Sequence, residues 1–266
     1  MNKIGFIGAG NIATAIIKGI ANSHLGKDSQ IFVTDIDVNK GESLKKYGAT
    51  FLSTSAEVVK ECKYIFLAVI PQVMRAVLDE ISPHITSNTV LVSNAAGLSV
   101  EYFKSRTNEN VKVILAMPNT PLLIGHGATA ISYAPPTSED ELSYIHDIYS
   151  SCGEVALIPA DKMKEVIAIN GSSPAFIYLF AKGFIDYGIS QGIDEESVKR
   201  LFAQSLIGAA KMITDSGHDV DELIKMVSSP GGTTMAGLSA LSDGDLLGTV
   251  NNACNACTNR AYELGK

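Results

Sequence analysis

Six residues near the start of the chain restrict its fold more than any others: Gly8, Ala9, Gly10, Asn11, Ile12 and Ala13. They follow a short apolar run at residues 3–7. They precede Ile16, Ile17 and Ile20, which are spaced as one face of a helix. G-x-G-x-x-A between a strand and a helix opens a βαβ unit that binds a dinucleotide. Gly8 permits the tight turn. Gly10 lets the backbone approach a pyrophosphate, and Ala13 is small enough for helix and strand to pack closely.

The following segments extend this unit into a sheet. A second strand at 30–34 brings Thr34 and Asp35 to its carboxyl end. A carboxylate there accepts hydrogen bonds from the adenosine ribose hydroxyls and repels a 2′-phosphate, so Asp35 leans the choice toward NAD over NADP. Asp37 is close enough to share that role. A plainer alternative makes both carboxylates solvated turn residues. A helix over 38–47, a strand at 49–52 and a short helix from Ser55 follow, and Ser55 joins the cofactor candidates. The run at 64–69 has the composition of a buried parallel strand. It ends in Ala68, Val69, Ile70 and Pro71 at the edge where open α/β sheets bind ligands. A strand at 89–93 leads into Asn94, Ala95, Ala96 and Gly97, whose small side chains suit close approach of the nicotinamide ribose. The strand at 111–116 runs into a stiff loop containing Pro118, Asn119, Thr120 and Pro121. Strands at 128–132 and 154–158 complete a doubly wound, mostly parallel sheet.

Strand patterns stop near Ala160. Helices are expected over 161–169, 175–187, 194–214, 219–227 and 245–264. The expected division is therefore a dinucleotide-binding domain at 1–160 and a helical domain at 161–266. The long helices are too apolar for a solvated bundle, which points to burial against a second copy of the chain. Between the last helices lies Ser228-Ser229-Pro230-Gly231-Gly232-Thr233-Thr234. Pro230 stops one helix, the glycines allow unusual backbone angles, and Thr233 or Thr234 is placed to cap the next. Such a turn presents free N–H groups that bind an anion such as a carboxylate. The alternative is a structural corner.

Composition narrows the partners. The net charge is −7 with no basic block, which speaks against nucleic acid. No apolar run reaches about 18 residues, so no membrane span is expected. The N-terminus reads as a strand and not a signal peptide. Four cysteines are too few for a disulfide framework, and a cytoplasmic location follows as the default. Cys254 and Cys257 form a C-x-x-C inside a helical pattern, with no second ligand pair, and read as packed thiols, not a metal site. The five histidines share no motif.

Four segments, 6–11, 116–121, 171–176 and 227–234, resemble in order and separation those of pyrroline-5-carboxylate reductase, and the resemblance spans essentially the whole chain. It implies a Rossmann domain followed by an all-helical dimerisation domain, with some members forming rings of dimers. It implies reduction of 1-pyrroline-5-carboxylate to L-proline with NAD(P)H. The glycine loop would hold the pyrophosphate, Thr34 and Asp35 would face the adenosine ribose, and Ala68 to Pro71, Ala95 to Gly97 and Pro118 would line the remaining groove. The substrate carboxylate would lie against Ser229, Gly231, Gly232, Thr233 and Thr234, with Asn119 nearby and the Thr234 hydroxyl close to the ring nitrogen. Three positions depart from the family pattern. Ile70 replaces a usual Lys and so agrees with Asp35 in disfavouring NADP. Asp219-Val220 replaces His-Pro, and Leu223-Ile224-Lys225 replaces Leu-Lys-Asp. Two other readings are a hydroxyacid dehydrogenase of the 3-hydroxyisobutyrate type and a dinucleotide-binding regulatory protein without catalysis. The first needs a Lys soon after Gly171, and none occurs before Lys182.

Overall fold

A computed structural model describes residues 1–264. The chain divides into two compact units, Met1–Pro174 together with the chain from Ala256 on, and Ala175–Asn255. The first unit alternates strands and helices: β1 (Asn2–Ile7), α1 (Asn11–Asn22), β2 (Ser29–Thr34), α2 (Val38–Ser43), β3 (Ala49–Phe51), α3 (Ser55–Glu61), β4 (Tyr64–Leu67) and α4 (Pro71–Ile81). It continues with β5 (Val90–Ser93), α5 (Val100–Arg106), β6 (Lys112–Met117), β7 (Gly127–Ala134), α6 (Glu139–Ser150) and β8 (Gly153–Leu157).

The eight strands form one sheet in the order β3-β2-β1-β4-β5-β6-β7-β8. Every neighbouring pair is parallel except β6 and β7. That exception follows from loop length. The connection from Met117 to Gly127 holds only a 3-10 turn, Thr120–Ile124, and is too short for the crossover that parallel pairing requires. The order reverses at β1, which pairs with β2 on one side and β4 on the other.

Both faces of the sheet are covered, so its strands are apolar on both sides. Phe6, Tyr64 and Phe66 point to the face under α1 and α6, with Ile16, Ile17 and Tyr149. Ile65 and Leu67 point to the other face, with Met74, Leu78 and Phe103. α1 packs closely on the turn that follows α6 because Gly19 lacks a side chain: a Cβ there would lie 2.1 Å from the Cys152 sulfur. The segment 161–169, expected as a helix, is instead a 3-10 turn (Ala160–Lys162) and a π-helical turn (Ile167–Gly171). Met163 and Val166 are drawn into the sheet core, and that packing overrides regular helical hydrogen bonding. The packing boundary accordingly falls at Pro174, later than the point near Ala160 where strand patterns cease.

The remaining helices are α7 (Ser173–Ser190), α8 (Glu195–Asp215), α9 (Val220–Met226), α10 (Thr233–Asp243) and α11 (Leu246–Leu264). Within Ala175–Asn255, Val198 is the only buried apolar side chain other than glycine, and Tyr178, Leu179, Phe184 and Leu201 are all exposed. Among the described residues no helix is long and apolar enough to cross a membrane. The last turns of α11 pack with the first unit, where the Tyr262 hydroxyl donates to Glu165 at 2.7 Å.

One buried carboxylate ties the sheet to its covering helix. Glu141 in the first turn of α6 accepts from Lys112 at 2.8 Å and pairs with Lys63 at 3.1 Å, at the starts of β6 and β4. It also closes a capping box with Ser138. Burial disfavours its charge, but Lys112, the Ser138 N–H and Lys63 outweigh that and hold its carboxyl below the usual range. A depressed folded pKa stabilises above the unfolded value of about 4.3 and is lost as pH falls through the folded value. Glu141→Gln should therefore cost about 1.5–3 kcal/mol at pH 7 by denaturant unfolding, with the gap closing below about pH 4. A gap that is constant with pH would assign the effect to packing alone.

Candidate functional site

The strongest local constraint lies where β1 turns into α1. Gly8 has φ +101°, and its N–H donates to the Thr34 carbonyl at 2.9 Å. A Cβ on Gly8 would lie 2.7 Å from the Ala68 carbonyl oxygen, so the turn is wedged between the ends of β2 and β4. Gly10 is different. It is the N-cap of α1 with ordinary extended angles, and nothing lies within 4 Å of where its Cβ would be. Neither backbone strain nor internal packing requires glycine there, and the open space beside it suits the approach of a ligand. No side chain caps α1 and no acidic residue occupies its first turn. The N–H groups contributed by Asn11, Ile12 and Ala13 thus lack side-chain caps and have the helix dipole behind them, an arrangement able to hold an anion.

Asp35 sits beside this loop. Its carboxylate accepts from the Ala9 N–H at 2.6 Å and the Asp37 N–H at 2.8 Å, which fixes its direction at the β2 end. Thr34 is buried, and Asp37 is exposed and caps α2 through the Asn39 N–H. Ser55 is buried at the start of α3, whose capping box belongs to Thr54 and Glu57. At the end of β4, Ala68 and Val69 are half-buried, Ile70 is exposed and Pro71 begins α4. Ala95, Ala96 and Gly97 follow β5, and Pro118 follows β6 in the buried part of the next loop. All of these lie at the carboxyl edge of the sheet, around the point where strand order reverses. A cavity of about 490 Å³ at the opposite edge, lined by Lys3, Cys62 and His84 among others, is remote from them.

Asn119 has a different environment from that of a free binding group. Its amide donates to the Asn170 carbonyl at 3.1 Å and its oxygen accepts from the Ala128 N–H at 2.9 Å. Asn170 in turn donates to the carbonyls of Met117 (2.6 Å) and Ala128 (3.0 Å). This pair of amides braces the proline-rich loop against the π-helical turn.

The second unit carries the 229–234 turn. Ser228 Oγ donates to Ile224 at the end of α9, at 2.6 Å. Gly231 has φ +72°, the left-handed region that favours glycine, and the Gly232 N–H donates to the Ser229 carbonyl at 3.0 Å. A Cβ on Gly232 would lie 2.6 Å from Ser229 Oγ. The helix that follows is capped by neither threonine. Gly232 is its N-cap, without a side-chain hydrogen bond, and Thr233 and Thr234 are exposed in the first turn. The tight Ser229–Gly232 bond pulls the helix start forward by one residue. The result is a helix N-terminus with open N–H groups, flanked by the Ser229, Thr233 and Thr234 hydroxyls.

Known sequence families cover both segments of the chain. Residues 160–264 match the sequence model described as pyrroline-5-carboxylate reductase dimerisation. Residues 3–97 match that described as NADP oxidoreductase coenzyme F420-dependent. A pyrroline-5-carboxylate reductase of Staphylococcus aureus is 35% identical over 98% of this chain and 97% of its own, and one of Corynebacterium melassecola is 32% identical over all of both. The chain belongs to the pyrroline-5-carboxylate reductase family. A Plasmodium falciparum pyrroline carboxylate reductase, solved with NADP bound, is 30% identical with a TM-score of 0.90, covering 100% of this chain and 98% of that one. The chain is therefore an NAD(P)H-dependent oxidoreductase that reduces 1-pyrroline-5-carboxylate to proline. Hydroxyacid oxidation and a non-catalytic role are not favoured. The reductase family's dimerisation segment coincides with the helices whose apolar side chains lie exposed.

The two glycines of the loop should separate cleanly. Gly8→Ala should lower stability by roughly 2 kcal/mol or more, from left-handed strain and the Ala68 clash. Gly10→Ala should leave the melting temperature unchanged and weaken NADH binding by about tenfold or more. Equal thermal losses with intact binding in both would contradict a ligand-facing Gly10.

Proposed function

We propose that the two units divide the reaction, the first holding the dinucleotide and the second holding the substrate carboxylate. The observation that carries this is a matched pair of uncapped helix N-termini, each preceded by a glycine turn and each free of acidic residues in its first turn. The residue 8–13 loop takes the pyrophosphate on its N–H groups. Asp35 accepts from the adenosine ribose, Thr34 and Ser55 support that end, and residues 68–71, 95–97 and 118 line the rest of the groove. The substrate carboxylate lies against the 229–234 turn, on the N–H groups of Thr233 and Thr234 and the hydroxyls of Ser229 and Thr233. Asn119 keeps its loop in place and does not contact substrate with a free amide.

The bound reduced nicotinamide supplies hydride. The chain's own residues bind and orient. Reduction of the protonated imine moves its C=N electron pair onto nitrogen and yields the secondary amine with no further proton. The Thr234 hydroxyl accepts from the N–H of that nitrogen and fixes the face presented for reduction, a positioning contribution. No side chain of the turn is a strong acid or base, in keeping with a substrate that is already electrophilic when protonated.

NADH is the preferred reductant in this reading. Asp35 is held at the ribose end by two backbone N–H groups, and Ile70 contributes no positive charge to the cofactor groove. The helical unit pairs with a second copy, and rings of such dimers are the proposed assembly. The proposed location is cytoplasmic, with neither nucleic acid nor membrane as partner. Steady-state kinetics tests the assignment. kcat/KM should be higher with NADH than with NADPH, and Thr234→Ala should lower kcat about tenfold or more while KM for NADH changes little. A strong NADPH preference would remove the Asp35 reading, and wild-type turnover in Thr234→Ala would remove that of Thr234.

A further inference from the structure

The cofactor assignment leaves Asn94, a polar side chain of the carboxyl edge, unused. Asn94 is the first residue after β5, and its N–H donates to the Leu67 carbonyl at 3.3 Å, so its backbone is fixed to the end of β4. Its side-chain oxygen accepts a hydrogen bond from the hydroxyl of Tyr149 on α6. Its amide nitrogen is inaccessible to solvent and has no hydrogen-bond partner. Buried N–H groups nearly always have partners, because leaving one unmade forfeits its hydration with nothing in return.

Tyr149 is well suited to hold the amide. It is fully buried, its ring is 6.0 Å from that of Phe66, and Phe66 stacks on Phe6 at 4.7 Å. A run of aromatic rings from β1 through β4 to α6 thus fixes the hydroxyl, which donates to the side-chain oxygen of Asn94 and leaves the amide nitrogen over. That atom is a donor.

Strand order says which part of a dinucleotide this donor serves. The pyrophosphate loop follows β1, and Asp35 follows β2 on one side of it. The adenosine lies toward β2, so the other half of the molecule extends across β4 and β5. Neighbouring strands are about 4.8 Å apart, which puts Asn94 roughly 10 Å from the loop, on the side away from Asp35. We propose that Asn94, pinned by Tyr149, is a cofactor-positioning residue whose amide N–H donates to an acceptor on the nicotinamide–ribose half of the dinucleotide. This rests on the assignment of the carboxyl edge to the cofactor.

The test compares calorimetric affinities of the full chain for NADH and for ADP-ribose, which lacks the nicotinamide. Asn94→Asp retains an acceptor for the Tyr149 hydroxyl and removes the donor; Asn94→Ala removes both. Each should weaken NADH about five- to tenfold and leave ADP-ribose within about twofold. Tyr149→Phe, which frees the amide, should weaken NADH by about threefold and spare ADP-ribose. Wild-type NADH affinity in Asn94→Asp, or parallel losses for both ligands, would overturn the inference. Wild-type NADH affinity in Tyr149→Phe would overturn the pinning. A wild-type chain that binds neither ligand would instead fail the cofactor assignment itself, and this inference with it.

Discussion

The contact between Gly8 and the ends of its two neighbouring strands governs the first unit. A residue in the left-handed region, bonded to Thr34 on one side and pressed on the Ala68 carbonyl on the other, admits no side chain. It sets the direction in which α1 leaves β1, and with it the direction of three N–H groups and a helix dipole. The close packing of Gly19 on the turn after α6, with Ile16, Ile17 and Ile20 in the core beneath, then holds that helix against the sheet. Asp35, the 68–71 corner and the 94–97 loop become parts of one edge because parallel strands all end on the same side.

Much of this was legible in the sequence because it rests on local patterns. A strand followed by G-x-G-x-x-A has few foldings, and doubly buried strands such as Tyr64–Leu67 announce themselves by continuous apolar character. What was not legible depends on contacts distant in the chain. Residues 161–169 have a helical pattern, yet burial of Met163 and Val166 under the sheet replaces the helix with 3-10 and π turns. Asn119 looks like a free polar group in a stiff loop, and only the amide of Asn170, 51 residues later, shows it to be a brace. The threonine cap expected at the second turn gives way to Gly232 because the Ser229 carbonyl claims the Gly232 N–H. In the sequence Asn94 stands out only as a neighbour of small residues. The one available signal was a polar side chain directly after an apolar strand, and Tyr149, 55 residues away, gives it meaning.

The helical unit shows the complementary limit. Its sequence is apolar enough to imply burial, and the fold leaves those side chains exposed on one copy. Hydrophobic surface of that kind is stable in water only when covered, and the match of residues 160–264 to the dimerisation segment of the family names the cover as a second chain. The same unit also presents the 229–234 turn. Fixing that turn on helices instead of a free loop holds its N–H groups and hydroxyls in one arrangement, as the proposed role in substrate binding requires.

The two proposed anion sites, one for a pyrophosphate and one for a carboxylate, with no strong acid or base at the second, make a coherent prediction about chemistry. The chain should accept a substrate that is already an electrophile and carries one carboxylate. The most direct measurement follows NADH or NADPH oxidation with 1-pyrroline-5-carboxylate, quantifies the proline formed, and uses a 3-oxoacid as control. The account predicts one proline for each reduced nucleotide consumed and no oxidation with the 3-oxoacid. Turnover of the 3-oxoacid in place of the imine, or consumption of neither, would contradict it.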